Sequence, residues 1–326
     1  MTRRRQVLVG LAAAAALTLT GCGVEERIVH LQAAPTENAD VGAPLRVETA
    51  ERITARVLGQ AELATNDEQR AAVLVGPALR VATARAARPG ASTPAPDVTT
   101  PPTPTILAMS RGQEWPRAIL AATLDAETQT QHLHVLLSAA PTDQFRLLAS
   151  APLLPGATVP AIGEVSEGTT FAASAPEAPI EIAALVDEYA RGLAFPQPGE
   201  TSAVAVDDSY AQSLQRNAAQ QQEAFTTLAT LARTHTTIPD SVVSVETADG
   251  GHLVFAQMTR QAVISLTEEA QEVKIEDQAL RDLSGRESVT ASFTTEHLEN
   301  VLFVAPPEGV ARLVGAEEIL VRAEGS

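Results

Sequence analysis

The chain contains a single cysteine, Cys22, among its 326 residues. One cysteine cannot form a disulfide within the chain, so no covalent bridge can hold any part of the fold together. The fold therefore has to be stabilised by packed cores. The hydrophobic content of 45% is sufficient for such cores, and the length allows two domains of ordinary size.

The residues before Cys22 have the organisation of an export signal. An apolar segment, residues 7–20, follows three arginines: Arg3, Arg4 and Arg5. The segment is shorter than the roughly 20 apolar residues that a membrane-spanning helix needs. A basic start, a short apolar segment and a small residue at the end are typical of a cleaved signal.

The four residues Leu19, Thr20, Gly21 and Cys22 resemble the lipobox of bacterial lipoproteins. The resemblance implies transfer of diacylglycerol to the Cys22 sulfur, because the cysteine thiolate is the nucleophile that takes the lipid. It also implies cleavage before Cys22, which makes residues 1–21 the signal peptide. We therefore expect a lipid anchor on the extracytoplasmic face of the cell membrane. The alternatives are a plain secretory signal and an uncleaved membrane anchor, each with a chance cysteine.

The charge of the chain argues against a nucleic-acid partner. The formal net charge is −17, and residues 1–21 hold three arginines and no acids, so 20 basic and 40 acidic residues remain after cleavage, a net −20. Such a surface repels nucleic acid and anionic headgroups. The only lysine is Lys274, which excludes a P-loop lysine and disfavours a lysine Schiff base.

Composition divides the chain after the signal into three parts. Residues 22–44 are polar and form an expected tether. Residues 45–199 are the expected first domain, and residues 200–326 the second, with a boundary at the Pro-Gly segment before residue 200. The proline-rich segment 89–104 favours extended polyproline II structure. It is either a linker or, as we prefer, a long loop within the first domain, because the segment before it is too short to fold alone.

Hydrophobic periodicity predicts the elements of the first domain. Helical spacing starts at Arg46, and a second helix or turn starts at Asn66, whereas segment 71–87 fits helix or strand. Strands are predicted at 106–109, 118–124, 133–137 and 145–148, with turns at 141–143 and 154–156. Residues 180–193 form an amphipathic helix with a stripe of Ile182, Leu185, Val186, Tyr189 and Leu193.

The second domain is predicted to repeat this order. Asp207 and Asp208 are N-cap residues for a long helix over residues 210–234. Asp249-Gly250-Gly251 is a hairpin turn. The predicted strands are 241–247, 253–258, 262–266, 272–275, 289–293, 298–304 and 310–321. The fold class is therefore α+β, with two units of helices packed on curved antiparallel sheets. A cystatin-like or nuclear-transport-factor-like cone is the nearest analogy, and it carries no function.

Several segments resemble an uncharacterised family of actinobacterial lipoproteins. Besides the lipobox they are Trp115-Pro116-Arg117, residues 154–160, Asp249-Gly250-Gly251, residues 303–309 and residues 314–317. The resemblance covers most of the mature chain. It implies an envelope location and a shared fold, and it implies no catalytic residue.

His132 and His134 are the most site-like pair in the sequence. Alternate residues of a strand share a face, where two imidazoles offer zinc ligands. We favour the alternative of a solvated strand face, because Leu133 and Val135 occupy the other face and no third ligand is nearby in sequence. No metal site and no cofactor is predicted.

The remaining candidates have structural explanations. Asp207 and Asp208 offer paired carboxylates for acid–base chemistry or cation binding, but a helix N-cap explains them. Tyr189, Tyr210, His235 and His252 are candidate pocket residues. Trp115 is either a ligand platform or, as we favour, an anchored core or rim residue. Gly163-Glu164-Val165-Ser166-Glu167-Gly168 has the wrong spacing for a nucleophile elbow, and metalloprotease, EF-hand and dinucleotide motifs are missing.

Three functions remain, in decreasing order of preference. The first is a non-enzymatic interaction or assembly module that holds an envelope protein or wall component near the membrane. The second is a carrier of a small apolar ligand or lipid in a cavity between helices and sheet. The third is an enzyme whose acid–base pair is dispersed in the sequence.

Overall fold

Four stretches of the chain carry the fold. The structure is a computed structural model, and it describes residues 42–88, 103–172, 180–270 and 272–326. The expected signal peptide, Cys22, the tether up to residue 41 and residues 89–102 lie outside these stretches. Within them, no helix is both long enough and apolar enough to cross a membrane.

The described fold begins with α1 (Val47–Leu63), α2 (Asp67–Val73) and α3 (Gly76–Ala86). Helix α1 buries Val57 and Leu58 on the face that helical spacing predicts. The Asn66 side chain caps α2 by accepting a hydrogen bond from the Gln69 amide. Both predicted helix starts are confirmed, and segment 71–87 is helical from Gly76.

The first sheet is a meander of antiparallel strands in the order β1–β2–β3–β4. Its strands are β1 (Thr105–Met109), β2 (Arg117–Leu124), β3 (Gln131–Ser138) and β4 (Arg146–Pro152). Strand β2 is buried on both faces, because Ile119 and Ala121 pack against α1 and α3 while Leu120 and Ala122 face the second sheet. The predicted hairpin of β3 and β4 is confirmed.

The second sheet has the order β12–β11–β8–β7–β5, and β6 also pairs with β8. Its strands are β5 (Phe171–Ala172), β6 (Ala229–Thr237), β7 (Val243–Glu246), β8 (His252–Leu266), β11 (Ser292–Ala305) and β12 (Arg312–Gly325). One edge of β8 pairs with β11 along its whole length, and the other edge pairs first with β7 and then with β6. The predicted turn at Asp249-Gly250-Gly251 joins β7 to β8.

Two helices cover the outer face of this sheet. They are α4 (Ile180–Gly192) and α5 (Ser209–Phe225). The predicted stripe of α4, from Ile182 to Leu193, is buried.

The segment between β8 and β11 contains three short elements. They are β9 (Val273–Lys274), α6 (Gln278–Ser284) and β10 (Ser288–Val289), and β9 pairs with β10 in a two-stranded ribbon. Helix α6 was not predicted.

Three hydrophobic cores separate four layers. One core lies between α1, α3 and the first sheet, one between the two sheets, and one between the second sheet and helices α4 and α5. In the middle core Leu120 and Leu133 of the first sheet pack with Leu253 and Leu302 of the second. The layer order is helix–sheet–sheet–helix, which confirms the predicted α+β class. The finer likeness to a cystatin or nuclear-transport factor stays a prediction.

Strand β12 meets the end of β4 at Gly315. The Leu154 amide donates a hydrogen bond of 2.8 Å to the Val314 carbonyl, and Leu153 forms a bridge with Gly315. A Cβ atom on Gly315 would lie 2.5 Å from the Pro152 carbonyl oxygen. Only glycine therefore allows the two backbones to approach this closely.

Helix α5 is shorter than the predicted helix over residues 210–234. It ends at Phe225, and Thr226 has a positive φ of 52°. Strand β6 then begins at Ala229, with buried and exposed positions alternating. The prediction was wrong because helical spacing was extended into a period-two pattern whose outward positions carry β-branched threonines. Segments 253–258 and 262–266, predicted as two strands, belong to the continuous strand β8.

Two elements before residue 199 belong structurally with the later strands. Strand β5 pairs with β7, and α4 packs on the second sheet. The described residues form one compact unit. The expected division into two domains stays a prediction about folding.

Candidate functional site

A band of polar side chains crosses the second sheet on the face that α5 covers. The strand register defines two adjacent rows of this band. They are His235, Arg260 and His297 in the first row, and Met258, Glu299 and Glu318 in the second. A sheet face under a helix is ordinarily apolar, so charged groups there need specific partners.

Glu299 is the centre of the band and is fully buried. Its Oε1 accepts a hydrogen bond of 2.8 Å from the Tyr210 hydroxyl, and its Oε2 accepts one of 2.8 Å from Nδ1 of His235. Arg260 lies 3.5 Å from Oε1 and 2.7 Å from the Glu318 carboxylate. Hydrogen bonds and one guanidinium thus compensate the buried carboxylate.

A second buried tyrosine extends the band towards the start of α5. The Tyr189 hydroxyl donates a hydrogen bond of 2.9 Å to Asp208, which also caps α5 by accepting from the Ala211 amide. Burial, and then the neighbouring carboxylate, raise the pKa of the Tyr189 phenol. The same two causes, with Glu299 as the carboxylate, raise the pKa of Tyr210. Both phenols are therefore hydrogen-bond donors at neutral pH.

Arg233 on β6 is a buried cation whose hydrogen-bond partners are neutral. Its residue is 8% exposed. It donates hydrogen bonds of 2.8 Å to the Leu214 carbonyl and 2.8 Å to the Gln221 side chain. Among the described residues, no carboxylate lies within ion-pair distance of it. Burial first, and then the charge of Arg260, lower the pKa of Arg233.

A cavity of about 590 Å³ lies between α5, α6 and the second sheet. Its charged and imidazole lining is Arg233, Arg260, His297, Asp277 and Glu318. Its large apolar lining is Leu214, Leu231, Ile264, Leu280, Phe293 and Leu320. The cavity therefore offers a polar wall and an apolar wall to one occupant.

Several buried nitrogen atoms in and beside the cavity have no hydrogen-bond partner within the described chain. They are Nε of Arg233, Nε of Arg260, Nδ1 of His297 and Nε2 of His235. Burial, and then the charge of Arg260, lower the pKa of His297 to about 4, so its ring is neutral at pH 7. A buried polar atom without a partner is unfavourable, so these four atoms leave unused hydrogen-bonding capacity in this band of the sheet.

A second cavity of about 400 Å³ lies between α1, α3 and the sheets and includes His132 and His134. The prediction of a solvated face was wrong for His134, because the first sheet is covered on both faces and His134 is buried. Its Nε2 bonds Thr123 at 2.8 Å and its Nδ1 bonds Ser150 at 3.0 Å. Burial, and then the charge of His132, lower its pKa to about 4.

The zinc alternative gains no support from this geometry. The His132 and His134 rings stack with centroids 6.2 Å apart, and both nitrogens of His134 are engaged by hydroxyl groups. No cluster of three or more histidine, cysteine, aspartate or glutamate residues suited to a metal ion occurs in the described stretches.

The other predicted candidates are distributed as follows. Tyr210 and His235 both form hydrogen bonds with Glu299. Tyr189 bonds to Asp208, the N-cap of α5. His252 is the first residue of β8 and lies away from this band. The predicted N-cap role of Asp208 is confirmed. Trp115 is half-buried, and the Arg117 guanidinium stacks 4.3 Å from its ring centroid. No prediction named Glu299, Arg260, Arg233 or His297.

The fold and this band define an α+β domain with a mixed polar and apolar cavity. The chain belongs to the family described as Domain of unknown function (DUF8094), whose family model matches residues 63–325. Searches among curated proteins and among solved structures find no match. The family match covers both sheets, and it begins inside α1.

Proposed function

We propose that this domain binds a small molecule in the cavity under α5 and acts as a non-catalytic carrier or receptor. The observation that carries the proposal is the cavity itself, whose polar wall includes Arg233, Arg260 and His297, each with a buried nitrogen that has no partner among the described residues. Its volume of about 590 Å³ is that of ordinary small-molecule sites. The apolar wall supplies burial for the ligand and the nitrogens supply orientation.

The geometry supports binding better than catalysis. A general acid or base has to come within hydrogen-bond distance of the substrate. The Glu299–His235 pair has the chemistry for such a role, but both side chains are fully buried and neither lines the cavity. We assign the pair to positioning Arg260 and Tyr210 rather than to proton transfer.

We further propose that the domain works at the outer face of the cell membrane. The support is the sequence pattern that ends at Cys22, which implies a thioether-linked lipid and a tether of about 20 residues before the fold. Globomycin blocks the signal peptidase of lipoproteins, so it should cause the precursor with residues 1–21 to accumulate. An unchanged mass after treatment would exclude this processing.

The binding proposal is tested by native mass spectrometry of the lipidated protein, purified gently from its own host. We expect an additional mass that denaturation releases. Ala262→Phe should abolish it, because Ala262 lines the cavity and the phenyl ring would fill the space. The matched control is Ala232→Phe on the neighbouring strand β6, where the side chain is exposed.

Three results are informative. A released small molecule in the wild type and the control, but not in Ala262→Phe, supports the proposal. A released polypeptide would instead favour a non-enzymatic interaction or assembly module, the function that the sequence favours first. A bare lipidated protein in all three samples would contradict a tightly held ligand.

A further inference from the structure

Within the described stretches, Arg233 is the cation of the cavity without an ionic partner. Two arginines line the cavity, and they differ in their surroundings. Arg260 contacts the carboxylates of Glu299 and Glu318. The partners of Arg233 are a backbone carbonyl and the Gln221 amide. A buried charge without a counter-ion is unfavourable, because neutral partners replace only part of the lost hydration.

The two guanidinium groups are also close neighbours. Arg260 pairs with His235 across β6 and β8, and Ala262 pairs with Arg233. Arg233 and Arg260 are therefore diagonal neighbours on one face of the sheet. Burial lowers the pKa of Arg233 first, and the neighbouring charge of Arg260 lowers it further. An anion in the cavity beside the Arg233 guanidinium would supply the missing counter-ion and offset the charge of Arg260.

The rest of the wall suits a hydrocarbon body. Leu231 and Ile264 are paired across β6 and β8, and Phe293 lies opposite Ile264 on β11. These three side chains form one row of the same sheet face, directly next to the row of Arg233 and Ala262. The apolar row is thus about 7 Å from the row of Arg233, a separation that a small amphiphile spans.

We propose that the ligand of this cavity is a small anionic amphiphile, with its carboxylate bound by Arg233 and its hydrocarbon body packed against Leu231, Ile264 and Phe293. A carboxylate matches the planar donor edge of a guanidinium and forms charge-assisted hydrogen bonds with it. This inference rests on the proposed binding function and names the chemical class of its ligand.

The test compares two ligands of one shape on the delipidated full-length mature protein. Decanoate and decanamide have the same chain and a planar head, and only decanoate is charged at neutral pH. Isothermal titration calorimetry should give decanoate an affinity about tenfold or more above that of decanamide. Arg233→Gln should reduce the decanoate affinity to that of decanamide, whereas Arg233→Lys should retain part of the difference. Arg216→Gln, at an exposed arginine of α5, is the control and should change neither affinity.

The outcomes separate this inference from the proposed function. Equal binding of both ligands, lost in Ala262→Phe, would leave the binding function standing and overturn the anionic preference. Absence of binding by both ligands would also overturn this ligand class, and the native mass measurement would then decide the binding function by itself. If Arg233→Gln fails to fold, as judged by circular dichroism, the wild-type comparison of the two ligands still decides the inference.

Discussion

Nδ1 of His235 on β6 donates a hydrogen bond of 2.8 Å to Glu299 on β11, although β8 lies between these two strands. The two side chains reach across β8, and neither has exposed surface. The pair therefore connects β6 to the centre of the second sheet through a hydrogen bond between two side chains. This strand carries Arg233, so the contact also positions the cavity wall.

Glu299→Gln should lower the free energy of unfolding by about 3 kcal/mol. The glutamine side chain has the same shape as glutamate, but it carries no charge to face Arg260. Its N–H group would also point at Tyr210 or His235, which are themselves donors. Urea denaturation followed by circular dichroism measures the loss. Glu318→Gln is the control, because this carboxylate is 42% exposed and its ion pair with Arg260 is worth about 1 kcal/mol or less. Equal losses in the two variants would contradict a special role for Glu299.

Acidification should destabilise the protein through its buried histidines. The pKa of His134 is lowered from 6.5 to about 4, so the folded state resists a proton that the unfolded state accepts. The stabilising effect is complete above about pH 6.5 and is lost as the pH falls towards 4, by up to about 3 kcal/mol for one histidine. His134→Gln should make the free energy of unfolding less dependent on pH in this window.

Ser150→Ala is the control for the pH experiment. It removes one hydrogen bond of His134 but leaves the ring buried. We expect lower stability with the pH dependence retained. A pH dependence as steep in His134→Gln as in the wild type would show that other groups cause it. His297, with its pKa lowered to about 4, is the next residue to replace.

The native protein should show no phenolate at alkaline pH. The chain has only two tyrosines, Tyr189 and Tyr210, and the pKa of each phenol is raised by burial and carboxylates. Their contribution to stability is complete below the ordinary phenol pKa of about 10 and is lost above it. Near-ultraviolet absorbance should therefore report phenolate only as the protein unfolds. Gradual ionisation at about pH 11 with unchanged circular dichroism would contradict this expectation.

Gly315→Ala should destabilise the protein by about 1–3 kcal/mol. The new Cβ would lie 2.5 Å from the Pro152 carbonyl oxygen and 3.1 Å from the Leu302 Cβ atom, so the two sheets would have to move apart. Gly59→Ala in α1 is the matched control, since no atom lies within 4 Å of its Cβ position. It should stabilise the helix by about 0.5–1 kcal/mol. Thermal unfolding of both variants measures the difference, and a stable Gly315→Ala variant would exclude a tight contact.

Local patterns were sufficient for most of the architecture. The helix start at Asn66, the N-cap at Asp208, the stripe of α4 and the turn at Asp249 each depend on a few adjacent residues, and all are confirmed. The length of α5 was wrong where helical spacing met the alternating residues 229–237. The continuity of β8 was missed because its polar centre, around Arg260, interrupts the apolar pattern.

The site depends on contacts that local patterns do not contain. Tyr210, His235 and Glu299 come from three elements and meet only through the register of β6, β8 and β11. One local signal was available, because Arg233 and His235 share the inward positions of β6 with Leu231. Charged side chains at the buried positions of an alternating strand indicate a buried polar site. The sequence does not show which residues of other strands form hydrogen bonds with them. The environment of His134 was misjudged because helices α1 and α3, which cover its face of the first sheet, come from an earlier part of the sequence.

The contact at Gly315 also sets an order for folding. Strand β4 completes its packing against β12, and Arg85 of α3 forms an ion pair with Glu317 of the same strand. The core between the two sheets, which includes Val314 of β12, therefore cannot be completed before β12 has been made. Contacts between such distant parts of a chain form slowly. A chain of this design therefore keeps apolar strands of the first sheet exposed until its last strand has been made.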